Sequence, residues 1–152
     1  MNSAKENLVV EVIFKIEKDP DGYPKSRDAE ALLCKPSNPE CSLCTVASVP
    51  FYLRNVAYGD TISTEEGESA SLQFKEVVKR GGYSVYRILL HDSKMKKELI
   101  GKLLDFDVLV EQDGDLIAFA VPPSADQDSI VQYILDGKSQ GFWGAQDGYV
   151  TE

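Results

Sequence analysis

The hydrophobic pattern changes its period at Gly81-Gly82, and that change constrains the fold more than any other feature of the chain. Before it, apolar residues recur only in short alternating runs of strand type. After it, strand and helix patterns alternate. Over 83–90 the alternation is strong: Tyr83, Val85, Arg87 and Leu89 would face one way, Tyr86, Ile88 and Leu90 the other. Asp92-Ser93 then supplies a helix cap, and Met95, Leu99, Ile100 and Leu103 share one face of a helix reaching about residue 104. A strand over 106–111 and its partner over 116–121 flank Asp113-Gly114, a type I′ hairpin signal. Pro122-Pro123 and Ser124 to Asp126 open a second helix with Ile130, Val131, Ile134 and Leu135 on one side, which Gly137 should end. A last strand over 142–145 completes a βαββαβ order, the split ferredoxin-like pattern with two helices on one face of a four-stranded antiparallel sheet.

Upstream of Gly81 the pattern predicts strands over 8–16, 30–34, 42–49, 61–63 and 72–79, the doubled valine at Val77-Val78 hinting at a bulge. Short strands so closely spaced usually curl into a small barrel or a bent antiparallel sheet. Val49 to Leu53 is an apolar run in which Pro50 suits a strand end or edge, and Tyr58-Gly59-Asp60 reads as a tight turn. The acidic run Thr64 to Ser71 has too little to bury and is expected as a solvated loop. The expected fold is therefore α+β, with a β-rich subdomain over 1–80 packed on a ferredoxin-like subdomain over 81–152. The short glycine hinge predicts that the two pack together.

Two runs in the middle of the chain carry a resemblance. V-P-F-Y-x-R-x-V-x-Y-G-D (Val49 to Asp60) is followed by F-x-E-V-V-x-R-x-G-Y-S-x-Y-R-I (Phe74 to Ile88). Together with Val12 to Glu17, the D-G-Y-P of Asp21 to Pro24 and Glu30-Ala31-Leu32, they resemble the bacterial family catalogued as domain of unknown function 4265. The chain departs from that pattern at Leu33, near which the family usually has a tryptophan, and at the Cys41 to Cys44 segment, which replaces an ordinary turn. The resemblance bears on architecture and implies no activity.

At 152 residues the chain is long enough to bury most of its apolar surface, and no apolar run reaches the roughly 20 residues of a membrane helix. The N-terminal segment, with Glu11 inside its brief apolar patch and no small-residue cleavage site, does not read as a signal peptide. Three cysteines, an odd number, favour a reducing cytoplasm. The net charge of −9 is uneven, with 10 basic and 13 acidic residues over 1–80 against 6 and 12 over 81–152. Nucleic acid and anionic membrane should repel such a chain, whereas a basic protein or a cationic ligand should be attracted to it.

The residues that could do chemistry are scattered. Cys34, Cys41 and Cys44 form C-x6-C-x2-C, but a closed zinc site needs four ligands and the single histidine, His91, is distant in sequence. His91 and Asp92 are adjacent, so on a strand they would face opposite ways and make a poor base and orienter. No G-x-S-x-G elbow and no phosphate loop is present. No cofactor or metal is therefore expected, nor catalysis. Carboxylates crowd two places instead: Glu65, Glu66 and Glu68, and Asp105, Asp107, Glu111, Asp113 and Asp115. With Trp143, which on a strand next to Phe142 could face outward as a contact anchor, these are the expected partner-binding residues. The resulting expectation is an acidic, non-catalytic binding protein of the cytoplasm, in concrete form an immunity protein that occludes a basic toxin. The alternative is a small-molecule-binding or regulatory domain with its ligand between the two subdomains. Oligomeric state is not legible in the sequence.

Overall fold

A computed structural model describes residues 8–18, 20–22 and 27–151. The D-G-Y-P stretch falls partly outside these described residues. The described residues form a mixed α+β protein with one sheet of five strands, one of four, and two α-helices.

The first sheet contains β1 (Val10–Lys15), β2 (Ala29–Pro36), β3 (Leu43–Val46), β4 (Thr61–Glu66) and β5 (Leu72–Lys79). Each pairs antiparallel with the next, and β5 meets β1 through a short parallel seam in which Val12 faces Leu72 and Ile13 faces Gln73. It is thus a strongly bent sheet whose edges touch along two residues, and not a regular antiparallel barrel. Alternate residues point inward, as the strand period requires. Val12 and Phe14, Leu32 and Cys34, Cys44 and Val46, and Ile62 fill this interior. The two register shifts between β4 and β5 supply the bend, and the doubled valine lies at the first of them, opposite Thr61 and Ile62.

The second sheet, in order β7-β8-β6-β9, is antiparallel throughout. It comprises β6 (Ser84–Leu90), β7 (Leu109–Asp113), β8 (Leu116–Val121) and β9 (Trp143–Asp147). Helices α1 (Lys96–Asp105) and α2 (Gln127–Ser139) pack on one face: Leu99, Leu103, Ile130 and Ile134 meet Tyr86, Ile88, Leu90, Phe119 and Trp143. Asp92 and Asp126 cap the helical turns, each accepting a backbone N–H two or three residues on, from Lys94 and Ser129. The opposite face of the sheet, with Val85, Ala118 and Ala120, is covered by Val49 and Ala57 from the long connection between β3 and β4. That connection also sends Leu53 and Val56 into the first core, so it belongs to both halves.

Several expectations need correction. Residues 64–66 continue β4, because pairing with Phe74, Gln73 and Leu72 satisfies the backbone while the glutamates stay in water; only Glu68–Ala70 is a turn. The third strand stops at Val46, where the chain leaves the sheet to cross over. The strand expected from 106 begins at Leu109, since Phe106 closes α1 and Asp107 turns the chain with φ +61°. Asp113 pairs with Leu116, so the hairpin turn is Gly114-Asp115; only Gly114 has positive φ, the sign pattern of type II′ instead of I′. Gly137 lies inside α2, and the chain reverses at Gly141, φ +81°.

Candidate functional site

The clearest concentration of unusual chemistry lies where the β3–β4 connection crosses the second sheet. Its residues 49–53 are in no strand, so their backbone groups require other partners. Charged side chains from the two sheets supply them. Glu30 on β2 accepts the N–H of Phe51 (2.7 Å) and of Tyr52 (3.0 Å), while Glu111 on β7 accepts that of Val49 (2.5 Å). Arg87 on β6 donates from Nε to the Pro50 carbonyl (3.3 Å) and from Nη2 to that of Leu53. Pro50 has no N–H to satisfy, which makes it the natural residue between two clamped amides.

Arg87 is only 2% exposed, and burial pushes its guanidinium down to about 10, which still leaves it cationic at neutral pH. The carboxylate of Glu30 opposes that shift. Burial likewise holds the Glu30 carboxyl above its ordinary value, against the Phe51 and Tyr52 amides and the nearby Arg87 charge. The buried guanidinium and the half-buried carboxylate carry opposite charges and hold the same loop. One valence is unused: Arg87 Nη1 is buried with no hydrogen-bond partner. An unpaired buried donor of this kind costs about 1–3 kcal/mol. At the same seam opens a pocket of about 510 Å³, lined by Arg87, Phe51 and Tyr52, by Leu89 and Leu116, by Asp113 and Asp115 of the hairpin, and by residues 144–146 of β9. That size suits a small organic ligand or an inserted side chain.

A second joint stands nearby in sequence but serves architecture. Asp60, fully buried, accepts from the Ala57 N–H, the Gly81 N–H and Arg80 Nη1 at 2.9–3.0 Å. Arg80 also reaches the Asn55 carbonyl and lies 3.9 Å from the Tyr149 ring centroid. A Cβ on Gly81 would fall 2.4 Å from the Gly59 carbonyl oxygen, so the two glycine turns can touch only without side chains.

The family described as a domain of unknown function, DUF4265, matches residues 39–145. The chain belongs to this family. The two runs that carried the resemblance are the two sides of the joints just described: Pro50, Phe51 and Tyr52 meet Arg87, and Gly59 and Asp60 meet Arg80 and Gly81. None of the curated proteins matches the sequence. The DUF4265 chain is also similar to a solved structure titled "Novel crystal structure of a hypothetical protein from Neisseria gonorrhoeae", at 13% identity and a TM-score of 0.75, over 96% of this chain and 98% of that one. At that identity the likeness concerns the fold alone.

The residues expected to bind a partner are distributed unevenly. Glu65, Glu66 and Glu68 are exposed at the β4–β5 end of the first sheet, and Asp105 and Asp107 are exposed at the end of α1. Asp113 and Asp115 are exposed at the hairpin, where Arg27 and Lys96 approach them to 4.0 and 3.7 Å. Glu111 is instead half-buried and employed on Val49. Trp143 does not serve as a contact anchor: it is 2% exposed, donates from Nε1 to the Ile134 carbonyl (2.9 Å), and seals the sheet against α2. Phe142, which precedes β9, is also partly buried against the same core, so the pair did not divide as alternation suggested.

The three thiols share the first core, but the imidazole stands apart from them. Cys34 and Cys44 fill the first core, where burial pushes the Cys34 thiol up to about 12 and Cys44 upward as well. His91 is exposed, within 3.3 Å of the Gly141 carbonyl, while Asp92 is occupied at its cap. Among the described residues no three His, Cys, Asp or Glu side chains stand at metal-binding spacing, and no helix is long and apolar enough to cross a membrane. The sequence singled out Glu111 for a partner but did not group it with Glu30 and Arg87 around one loop. An arginine at an inward position of an otherwise apolar strand was the available signal.

Proposed function

We propose that this chain is a non-catalytic binding protein of the bacterial cytoplasm, and in concrete form an immunity protein that holds a basic toxin through its acidic surface. The observation behind this reading is the employment of its polar side chains. The buried ones are spent on holding the fold, whereas Asp113 and Asp115 project at a hairpin tip with only loose ion pairs. Carboxylates so placed steer a cationic partner and can sit over its site. The ferredoxin-like reading of the second half belongs to the same proposal: its βαββαβ order and strand order β7-β8-β6-β9 suit a rigid platform that presents a hairpin. Mixing the protein with the product of the adjacent gene tests it. We expect a complex that weakens as salt rises, with suppression of that product's toxicity. Neither complex nor protection would overturn the immunity reading.

The seam pocket favours a second reading, a small-ligand or regulatory domain. Its support is an open cavity that both halves of the chain line, with Phe51 and Tyr52 on one side and Arg87 and Leu89 on the other.

A further inference from the structure

We propose that the chain pairs with a second copy of itself along β9, joining two four-stranded sheets into one across a two-fold axis at Ala145. β9 is an outer strand, with β6 on one side and no strand on the other among the described residues. Its register fixes which backbone groups are free. His91 donates to the Phe142 carbonyl and Gly148 to that of Val85, so by alternation residues 142, 144, 146 and 148 turn their N–H and C=O groups to β6. Those of Trp143, Ala145 and Asp147 point away from the sheet. Open edges are usually guarded by proline or lysine, and the WGAQD of β9 has neither.

Beside this edge, α2 carries a stripe that is complementary to itself. Asp128, Val131, Leu135 and Lys138 recur at helical spacing on the flank bordering β9, where Val131 and Leu135 line an apolar cleft with Ala145 and Asp147. Leu135 is 47% exposed, and neither Asp128 nor Lys138 has an ion pair among the described residues. Turned end for end, the order acid, apolar, apolar, base meets its complement. Antiparallel α2 helices of two copies therefore match Asp128 with Lys138 twice and pack Val131 on Leu135. The same axis serves strand and helix. Gly137 backs onto the Trp143 ring, which sets the two elements level there. From Trp143 to Ala145 is about 7 Å, and α2, running the other way, covers that distance in roughly four or five residues, reaching the midpoint between Val131 and Leu135. Pairing about Ala145 forms about six backbone hydrogen bonds and sets Asp147 opposite the second copy's Trp143, toward its Lys138, instead of opposite another Asp147. A foreign strand would gain the same hydrogen bonds without the match along α2.

Sedimentation equilibrium of the full chain tests the proposal. The expected result is a mass that rises with concentration toward twice that of one chain. Leu135→Glu, Asp128→Lys and Lys138→Asp, all at exposed positions of α2, should each weaken the dimer at least tenfold while the native Trp143 fluorescence is kept. Mixing Asp128→Lys with Lys138→Asp should restore it, because one copy then brings two lysines to the stripe and the other two aspartates. A monomer at every concentration, a dimer indifferent to all three substitutions, or a mixture that stays monomeric would overturn the proposal. A chain that is monomeric alone but binds the product of the adjacent gene, and loses that binding in Leu135→Glu, would assign the edge to that partner and overturn self-pairing.

Discussion

Gly137 shows how a single residue can be set by a partner distant in kind. Within α2 a glycine is unfavourable by about 1 kcal/mol relative to alanine, so helix propensity alone argues against it. A Cβ there would lie 2.0 Å from Cζ2 of Trp143, whose ring is pinned by its hydrogen bond to the Ile134 carbonyl. The indole cannot swing away without losing that bond, so steric exclusion outweighs propensity. Gly137→Ala should therefore destabilise the protein, by about 1–3 kcal/mol of overpacking, read as a lower urea midpoint. Cys34 makes the same point for chemistry: inward on β2 and flanked by apolar side chains, it keeps its proton at neutral pH and behaves as a core residue.

At the scale of an element, the 49–53 loop is held by side chains where a strand would be held by a ladder. Its hydrogen bonds run to Glu30, Glu111 and Arg87, so its order depends on the charge state of buried groups. The folded state binds a proton on Glu30 more readily than the unfolded chain does, since burial raises that carboxyl. The contribution of Glu30 to stability is thus greatest at low pH and declines as pH rises from about 4.5 through the raised value. Urea unfolding across that range should show this downward component in the native protein and lose it in Glu30→Gln; an identical pH profile would contradict the assignment. The hairpin between β7 and β8 carries the opposite arrangement, its aspartates left in water and available to a partner.

On the scale of the molecule, the β3–β4 connection packs against both sheets. Leu53 and Val56 pack in the first core, Val49 and Ala57 against the second sheet, and Asp60 ties the crossing to Arg80 and Gly81. Removing either half would bare apolar surface on the other. Denaturant unfolding should therefore be a single transition, with Trp143 fluorescence, which reports the second sheet, coincident with circular dichroism, which reports both. Two separated transitions would show the halves to be independent. Much of this architecture was written locally: the period of two in 83–90 divided Val85 and Arg87 from Tyr86, Ile88 and Leu90, and glycine and cap residues marked most element ends. Local pattern failed where long-range partners decided, at β4, which pairing with β5 prolonged through its glutamates, and at Trp143, which α2 covered. The candidate site was still less legible, because Glu30, Arg87 and Glu111 lie on three strands and become one group only through the crossing loop. Alternation and turn chemistry are properties of neighbours along the chain, so sequence alone could determine the elements and the acidic field. Which charge would be buried, which nitrogen left without an acceptor, and which carboxylates left in water depended on contacts between residues 21 to 62 positions apart, and only tertiary structure brings those together.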